Sequence, residues 1–264
     1  MKHIFSAFLM VLFICGVASG SGIAPNKIPY PENYDTKTSG ASAVEGIGDH
    51  DKSPYFAHPD IYNMKSAGSL VVLEKFKTYQ QTTEWSCGNA SALMVLRHFG
   101  DEGHRELDSV KIMGTQATPD NGVKQEGVIY GTTTEGMVKF FKTLGYDVKS
   151  SLDRNVSDDM TLSETEFKDW VVRNLKKNTP IMVEWLDWTA HWQVIIGYDD
   201  MGTNAIEDDV LILADPYDVG DHLQDGYYIF PARRFFYMWS DIRYEAGSNL
   251  ASQQWVIAAP PGKR

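Results

Sequence analysis

One cysteine stands in a sequence context that suits chemistry. Cys87 lies in the stretch QTTEWSCGNASALMVLRHFG, and the only other cysteine, Cys15, falls in an apolar N-terminal segment. If that segment is removed as an export signal, Cys87 has no partner for an internal disulfide. The thiol is then either an inert buried side chain or a nucleophile. A cysteine nucleophile reacts as the thiolate, whose pKa falls at a helix N-terminus and beside an imidazolium.

A histidine must be brought to Cys87 by the fold, and the sequence narrows the choice. Of the seven histidines, one lies in the apolar N-terminal segment, two in the polar stretch that follows, and two near the far end of the helix predicted after Cys87. His191 and His222 remain. His191 begins HWQVIIGY, which is typical of a strand, whereas His222 lies in a polar loop. Because a strand holds a base rigidly, we predict that His191 serves Cys87.

Two further residues complete a candidate catalytic set. Asp215 ends the next predicted strand, and a hairpin would return it to His191, where a carboxylate fixes the tautomer of the imidazole. Gln81 lies six residues before Cys87, so its amide and the Cys87 backbone N–H suit an oxyanion hole. Taken singly, each residue also fits packing, a structural hydrogen bond or a turn. The four together, in this order, favour catalysis.

The segment after Cys87 predicts a central helix. Nearly every residue from 87 to 99 is apolar or small, and a helix that is hydrophobic on all sides belongs inside the protein. Arg97 and His98 fall in the last turn, and Gly100 suits the position just past the helix end. Cys87 is therefore expected at the N-terminus of a buried helix.

Two more helices begin with capping boxes and strands follow them. The boxes are Thr132 with Glu135 and Ser163 with Glu166, and Pro180 ends the second helix. Short β-branched or aromatic runs predict strands at 70–73, 181–185, 191–198, 209–215 and 226–230.

This order of elements predicts the fold class. Helices precede most of the sheet, which is typical of an α+β protein. We expect a helical lobe that carries the Cys87 helix and an antiparallel β lobe that carries His191 and Asp215.

The N-terminus predicts export and a three-part organisation. Residues 4–17 are almost continuously apolar and small residues follow, so 1–20 are predicted to be a signal peptide. Residues 21–66 are polar and rich in Gly, Ser and Pro, as in a flexible linker or an inhibitory pro-segment. Residues 67–264 form the predicted domain. No later run is apolar enough for a stable membrane span, so we expect a secreted or cell-envelope protein.

Charge and composition limit the partners. The net charge of −11 argues against nucleic acid and is compatible with a peptide or protein substrate. We expect no cofactor and no metal ion, since the acidic groups in 199–225 lack EF-hand spacing and suit a solvated face better than a calcium site. Trp188 and Trp192 flank His191 and are candidates for lining a substrate cleft.

The complete pattern resembles a known family. Gln81 with Cys87-Gly88 at the start of an apolar helix, then His191-Trp192 leading a strand, then Asp215 followed by proline, is similar to the papain-fold cysteine peptidases of family C39. That family includes the double-glycine leader peptidase domains of bacteriocin exporters and stand-alone exported relatives.

The resemblance implies a role for each matching residue. It makes Cys87 the nucleophile, His191 the general base and acid, Asp215 its orienting partner and Gln81 an oxyanion-hole donor. Asn89 stands where many relatives have proline. No exporter module follows, so coupling to export is not carried over. A cell-wall amidase or transpeptidase with the same triad, and a non-catalytic peptide-binding module, remain alternatives.

Overall fold

The computed structural model describes residues 24–50, 52–119, 123–153, 162–187, 189–241, 243 and 251–263. The predicted signal peptide lies outside these residues. Within them, no helix is both long and apolar enough to cross a bilayer.

Seven strands in the described residues form one antiparallel sheet. They are β1 Leu70–Val72, β2 Asp147–Ser150, β3 Ile181–Leu186, β4 Ala190–Asp199, β5 Val210–Ala214, β6 Tyr227–Pro231 and β7 Gln254–Ala259. The order across the sheet is β2-β7-β3-β4-β5-β6, and β1 pairs with the end of β4. The long β4 is thus central. It is buried along nearly its whole length because of its continuous apolar run.

Five α-helices accompany the sheet in the described part of the chain. They are α1 Cys87–His98, α2 Val110–Met113, α3 Thr134–Thr143, α4 Glu164–Lys176 and α5 Ala232–Met238. Short 3-10 turns occur at Ala41–Val44, Ile61–Asn63, Glu106–Ser109, Ser151–Asp153 and Ile206–Asp208. Together with the sheet they give the predicted mixture of helix and antiparallel strand.

The central helix α1 is buried as its composition predicts. Its first ten residues are all buried, and the Ser91 hydroxyl donates to the Trp192 carbonyl of β4 at 3.1 Å. Gly100 follows the helix with a φ of +83°, a conformation that glycine adopts without strain. The helix start is therefore fixed against the central strand.

The sequence predicted the capping residue of α4 correctly but not that of α3. The capping box of Ser163 and Glu166 is present at α4. At α3 the predicted cap is wrong by one residue, because Thr133 rather than Thr132 accepts from the Gly136 N–H, at 3.2 Å. Thr132 is instead buried and turns its hydroxyl to Thr115.

The predicted hairpin between β4 and β5 is present and sets the site. Val194 pairs with Ala214, so Asp215 follows β5 at the end of the sheet where β4 begins. β3 pairs with β4 on the other side, with Trp185 opposite His191. His191 is thereby held by β3, at the end of the sheet where Asp215 follows β5.

The segment that precedes the predicted domain contacts it along much of its length. The Ile28 N–H donates to the Thr78 carbonyl at 2.8 Å, and the side chain of Ile28 is buried. The Ser42 N–H donates to the Gln81 carbonyl at 3.1 Å, and the His50 N–H to the His222 carbonyl at 2.7 Å. The segment therefore lies against both the chain before α1 and the loop after β5.

Candidate active site

Cys87 is the first residue of α1, where helix N–H groups have no intrahelical acceptor. Its thiol is unpaired and its residue is 9% exposed. The preceding Ser86 has a side chain suited to capping but makes no capping hydrogen bond, because its hydroxyl accepts from the Thr83 hydroxyl at 2.7 Å and donates to Glu106 Oε1 at 2.6 Å. The positive end of α1 is thus left open at the sulfur, which favours a thiolate.

His191 and Asp215 form a tight buried pair beside this thiol. His191 Nε2 lies 2.6 Å from Asp215 Oδ1, and both residues are less than 5% exposed. The Asp215 carboxylate also accepts from the Tyr217 N–H at 2.8 Å, which fixes its orientation. The His191 side chain is also hydrogen-bonded to the Cys87 thiol. Since Nε2 faces Asp215, Nδ1 is the ring nitrogen available for the sulfur.

These contacts drive the two pKa values towards an ion pair. Burial raises the pKa of Cys87, but the hydrogen bond and charge of His191, the Trp192 backbone and the charge of Arg243 outweigh it, so the pKa is lowered. Burial lowers the pKa of His191, but Asp215 and the contact with Cys87 raise it well above 6.5. Both shifts act in the direction that favours a thiolate beside an imidazolium.

Gln81 lies on the loop that leads into α1, and it is buried. Its Nε2 donates one hydrogen to the Thr83 carbonyl at 2.6 Å. A primary amide carries two N–H hydrogens, so the Thr83 contact fixes the amide plane and leaves a second N–H. The Gln81 backbone N–H donates to the Pro216 carbonyl at 2.8 Å. This last bond ties the Gln81 loop to the residue that follows Asp215.

A buried carboxylate holds the same loop from inside. Glu106 Oε1 accepts from the Thr82 N–H at 3.0 Å and from the Ser86 hydroxyl at 2.6 Å. Its Oε2 accepts from the Thr82 hydroxyl at 2.7 Å and the Tyr79 hydroxyl at 3.0 Å. Burial raises the pKa of Glu106, and the donated hydrogen bonds act against that rise. Glu106 thus anchors the loop between Tyr79 and Cys87 at several points.

A second charged group adjoins the thiol. Arg243 pairs with Glu184 and with Asp241, whose Oδ2 lies 2.8 Å from Nη2, and Arg243 also donates to the Tyr130 carbonyl at 2.7 Å. Burial lowers the pKa of Arg243, but Glu184 and Asp241 raise it by more than burial lowers it, so the guanidinium stays charged. Its positive charge contributes to the lowered pKa of Cys87.

The aromatic residues predicted to line a cleft do not share one role. Trp188 lies outside the described residues. The side chain of Trp192 is fully buried and its indole donates to the Thr132 carbonyl at 2.9 Å, so Trp192 is a core residue and not part of an open cleft. The neighbouring Asp187 is partly exposed. Burial and the charge of Asp215 raise its pKa to about 6.

The alternative histidine lies away from the thiol. His222 Nδ1 lies 2.9 Å from the Ser53 hydroxyl, and its ring packs edge-on against the ring of Phe56. His222 therefore belongs to the contact with the N-terminal segment. In the part of the chain that the structure describes, no three His, Cys, Asp or Glu side chains are grouped so as to hold a metal ion.

Two contributors to this site were missed in the sequence. Glu106 lies in a short polar stretch whose pattern resembles an ordinary surface turn, and Arg243 lies in a region without strong periodicity. Neither position has a motif, because each acts through long-range contacts made only in the folded protein.

Comparison with known proteins places this geometry in a family. The sequence model described as "Peptidase_C39 like family" matches residues 73–247, a span that contains Cys87, His191, Asp215 and Gln81. No curated protein matches the chain.

Two solved structures are similar to the chain. One is the peptidase domain of Streptococcus ComA, a bi-functional ABC transporter involved in a quorum-sensing pathway; it is 18% identical, the match covers 70% of this chain and 98% of that one, and the TM-score is 0.39. The other is the peptidase domain of Streptococcus mutans ComA, with 16% identity, coverage of 70% and 100%, and a TM-score of 0.31. At these scores the likeness carries no argument about this chain.

The family match does identify the family, because it spans well over half of the 264 residues. The fold that surrounds the match, with a buried helix that begins at Cys87 and an antiparallel sheet that carries His191, is papain-like. The chain belongs to the Peptidase C39-like family.

Proposed function

We propose that this protein is an exported cysteine peptidase that hydrolyses peptide bonds through an acyl-enzyme at Cys87. The observation that carries the proposal is the buried chain of contacts from Cys87 through His191 to Asp215, with the pKa of the thiol lowered and that of the imidazole raised. Perturbed groups arranged in this way mark a site poised for nucleophilic catalysis.

In the first half-reaction the thiolate attacks the carbonyl carbon of the substrate. A C–S bond forms, and the carbonyl oxygen becomes an oxyanion that accepts from the Cys87 N–H and the second N–H of Gln81. The His191 imidazolium then gives its Nδ1 proton to the leaving amine as the C–N bond breaks. Asp215 keeps the ring oriented throughout, because Nε2–H remains hydrogen-bonded to its carboxylate.

In the second half-reaction neutral His191 takes a proton from water. The hydroxide adds to the thioester carbonyl, the same oxyanion donors bind the developing charge, and collapse breaks the C–S bond to release the carboxylate product. His191 returns to the imidazolium and Cys87 to the thiolate. Apart from the substrate and one water molecule, no group from outside the chain is needed to balance either step.

The proposal is tested by substrate profiling together with thiol reactivity. We expect the chain without residues 1–20 to hydrolyse members of a quenched-fluorescence peptide library, and iodoacetamide to alkylate Cys87 with an apparent pKa below the value of about 8.5 for a free thiol. Alkylation of the folded protein at the rate and pH dependence of a free thiol would falsify the nucleophile assignment.

The amidase and transpeptidase alternatives call for a parallel assay. Peptidoglycan fragments are incubated with the same enzyme, and products are read by mass spectrometry. Turnover of these fragments without turnover of the peptide library would favour the alternative, since the same triad serves either substrate. Reactive Cys87 with no turnover of either substrate would point to a binding module.

An Asp215→Asn variant is expected to have an altered pH dependence of kcat/KM. Loss of the carboxylate leaves burial to lower the pKa of His191, so the imidazolium is lost at lower pH and the alkaline limb of kcat/KM moves to lower pH. Because the imidazolium also lowers the pKa of Cys87, the acid limb moves to higher pH. We expect the active window to narrow by roughly 1–3 pH units.

Asp218→Asn is the matched control for this profile. Burial and the neighbouring carboxylates raise the pKa of Asp218 to about 9, so this side chain is already neutral below that pH. We expect its profile to follow the wild type. An unchanged alkaline limb in Asp215→Asn would show that Asp215 does not set the charge of His191.

Export forms a separate part of the proposal. It rests on the apolar run at 4–17 and the small residues after it. We expect the chain to be found outside the cytoplasm, as a secreted or cell-envelope protein without residues 1–20. Peptide or protein substrates are its proposed partners, and nucleic acid is not, because of the net charge of −11.

A further inference from the structure

A glycine of the N-terminal segment lies directly on the backbone that carries Gln81. Gly40 has a φ of +67°, and a Cβ built on it would lie 2.5 Å from the Gln81 carbonyl oxygen and 2.6 Å from the Thr83 nitrogen. Real Cβ contacts do not come this close, so only glycine fits. The Gly40 N–H donates to Glu84 Oε1 at 3.1 Å.

Two residues later the same segment hydrogen-bonds the Gln81 peptide. The Ser42 N–H donates to the Gln81 carbonyl at 3.1 Å, while the Gln81 N–H donates to the Pro216 carbonyl at 2.8 Å. Both backbone polar groups of Gln81 are therefore bound to other parts of the chain. We call residues 40–42 the clasp.

A buried glutamine joins the clasp to the loop of the catalytic aspartate. Gln224 Nε2 donates to the Ala41 carbonyl at 2.9 Å and to Gln80 Oε1 at 3.1 Å. Gln80 Nε2 in turn donates to the Asp215 carbonyl at 3.0 Å. The clasp, the Gln81 peptide and the Asp215 loop thus form one hydrogen-bonded unit.

We propose that the clasp is a positioning element of the oxyanion hole. The inference rests on the function proposed above, in which Gln81 donates to the oxyanion. Glu106 holds the Gln81 loop from inside, and the clasp closes the outer side of the same backbone. A displacement of about 1 Å at a catalytic donor can cost about 10²-fold in rate, so catalysis depends on this outer contact.

Three possible roles of residues 21–66 predict different effects on catalysis. A flexible linker would have no effect on catalysis, and an inhibitory pro-segment would give higher activity when its contact is weakened. If the segment is a positioning element, weakening its contact lowers kcat, because Gln81 is then misplaced for the oxyanion that forms from a carbonyl substrate. The sign of the change therefore decides between the roles.

Gly40→Ala and Gly46→Ala provide a matched pair in the full chain. Gly46 also has a left-handed φ, +76°, but its Cβ would meet only Asp49 Oδ2 at 3.9 Å. Gly46→Ala controls for a side chain at a positive φ in this segment. Gly40 also has a ψ of −174°, a backbone region that glycine alone adopts readily, so Gly40→Ala adds its own backbone strain as well as the push on Gln81. For the library peptide that is cleaved fastest, we expect Gly40→Ala to lower kcat by roughly 10–100-fold and KM by less than about 2-fold. Gly46→Ala should match the wild type.

Alkylation of Cys87 by iodoacetamide distinguishes positioning from a general loss of structure. The thiolate displaces iodide at a saturated carbon, so no oxyanion forms and Gln81 is not needed. We expect Gly40→Ala to be alkylated at the wild-type rate while its kcat falls, as it should in Gln81→Ala, where the loss reaches about 10²–10³-fold. Parallel losses of alkylation and kcat would overturn the proposal.

Gln224→Ala tests the same unit if Gly40→Ala does not fold. It removes the amide that joins Ala41 to Gln80 and adds no new atoms. A lower kcat with normal alkylation supports the clasp; unchanged or increased kcat in the folded variants overturns it. If the wild type cleaves no peptide and Cys87 alkylates as a free thiol, the proposed function fails as well, a result distinct from failure of the clasp alone.

Discussion

Replacing Cys87 by alanine is expected to lower peptide hydrolysis by about 10⁶-fold, the scale on which loss of a nucleophile abolishes covalent catalysis. The acyl-enzyme needs the sulfur, and among the described residues no other cysteine is present to take its place. The measurement is kcat/KM for the fastest library peptide, with intact-protein mass spectrometry of wild type and variant after a short incubation.

The mass spectra test the effect of Cys87→Ala in a second way. The wild type should carry a transient acyl adduct on Cys87, and Cys87→Ala should carry none while it still binds the peptide. Because the cysteine side chain is small and His191 keeps its contact with Asp215 in the variant, the replacement should leave the thermal unfolding midpoint close to the wild-type value. Residual hydrolysis within about 100-fold of wild type would mean that another group is the nucleophile.

The parts of the fold that follow from local patterns were predictable. β3, β4, β5 and β6 coincide with β-branched or aromatic runs. β3, β4 and β5 are buried on both faces, which requires such residues, whereas the edge strand β6 is partly exposed. The hairpin of β4 and β5 then brings Asp215 back towards His191. Two members of the candidate site, His191 and Asp215, could be placed together by this reasoning alone, since antiparallel neighbours return the chain to the same end of a sheet.

Other parts depend on contacts that no local pattern carries. β2 and β7 were not predicted, since β2 reads DVKS, which is short and half polar, and it becomes a strand by pairing with β7. The polar segment before residue 67 has few aliphatic residues, yet Gly40 and Ser42 lie on the Gln81 backbone. Hydrogen bonds between backbone groups need no hydrophobic periodicity, so periodicity could not reveal them.

The start of α1 shows how structure and chemistry are coupled. Serine before a helix commonly caps it, but here the Ser86 hydroxyl accepts from the Thr83 hydroxyl and donates to Glu106. The helix loses a cap, typically about 1 kcal/mol, and keeps its N-terminal N–H groups for the sulfur and an oxyanion. This departure from the usual cap falls beside Cys87, the proposed nucleophile, and such departures are expected at functional sites.

Replacing His191 by asparagine is expected to lower kcat by roughly 10⁴-fold or more, because the proton donor for the leaving amine and the base for water are both lost. The same change removes the hydrogen bond and the charge that lower the pKa of Cys87. Alkylation by iodoacetamide near neutral pH should therefore slow, and its apparent pKa should move upward.

The same substitution at His222 separates the base from the other histidine that the sequence left open. His222 has a φ of +70°, which asparagine tolerates, and its ring meets Ser53 and Phe56 rather than the thiol. We expect His222→Asn to keep the wild-type alkylation profile and kcat within about 3-fold. Loss of turnover in His222→Asn, with normal turnover in His191→Asn, would mean that the triad is misassigned even though Cys87 remains the nucleophile.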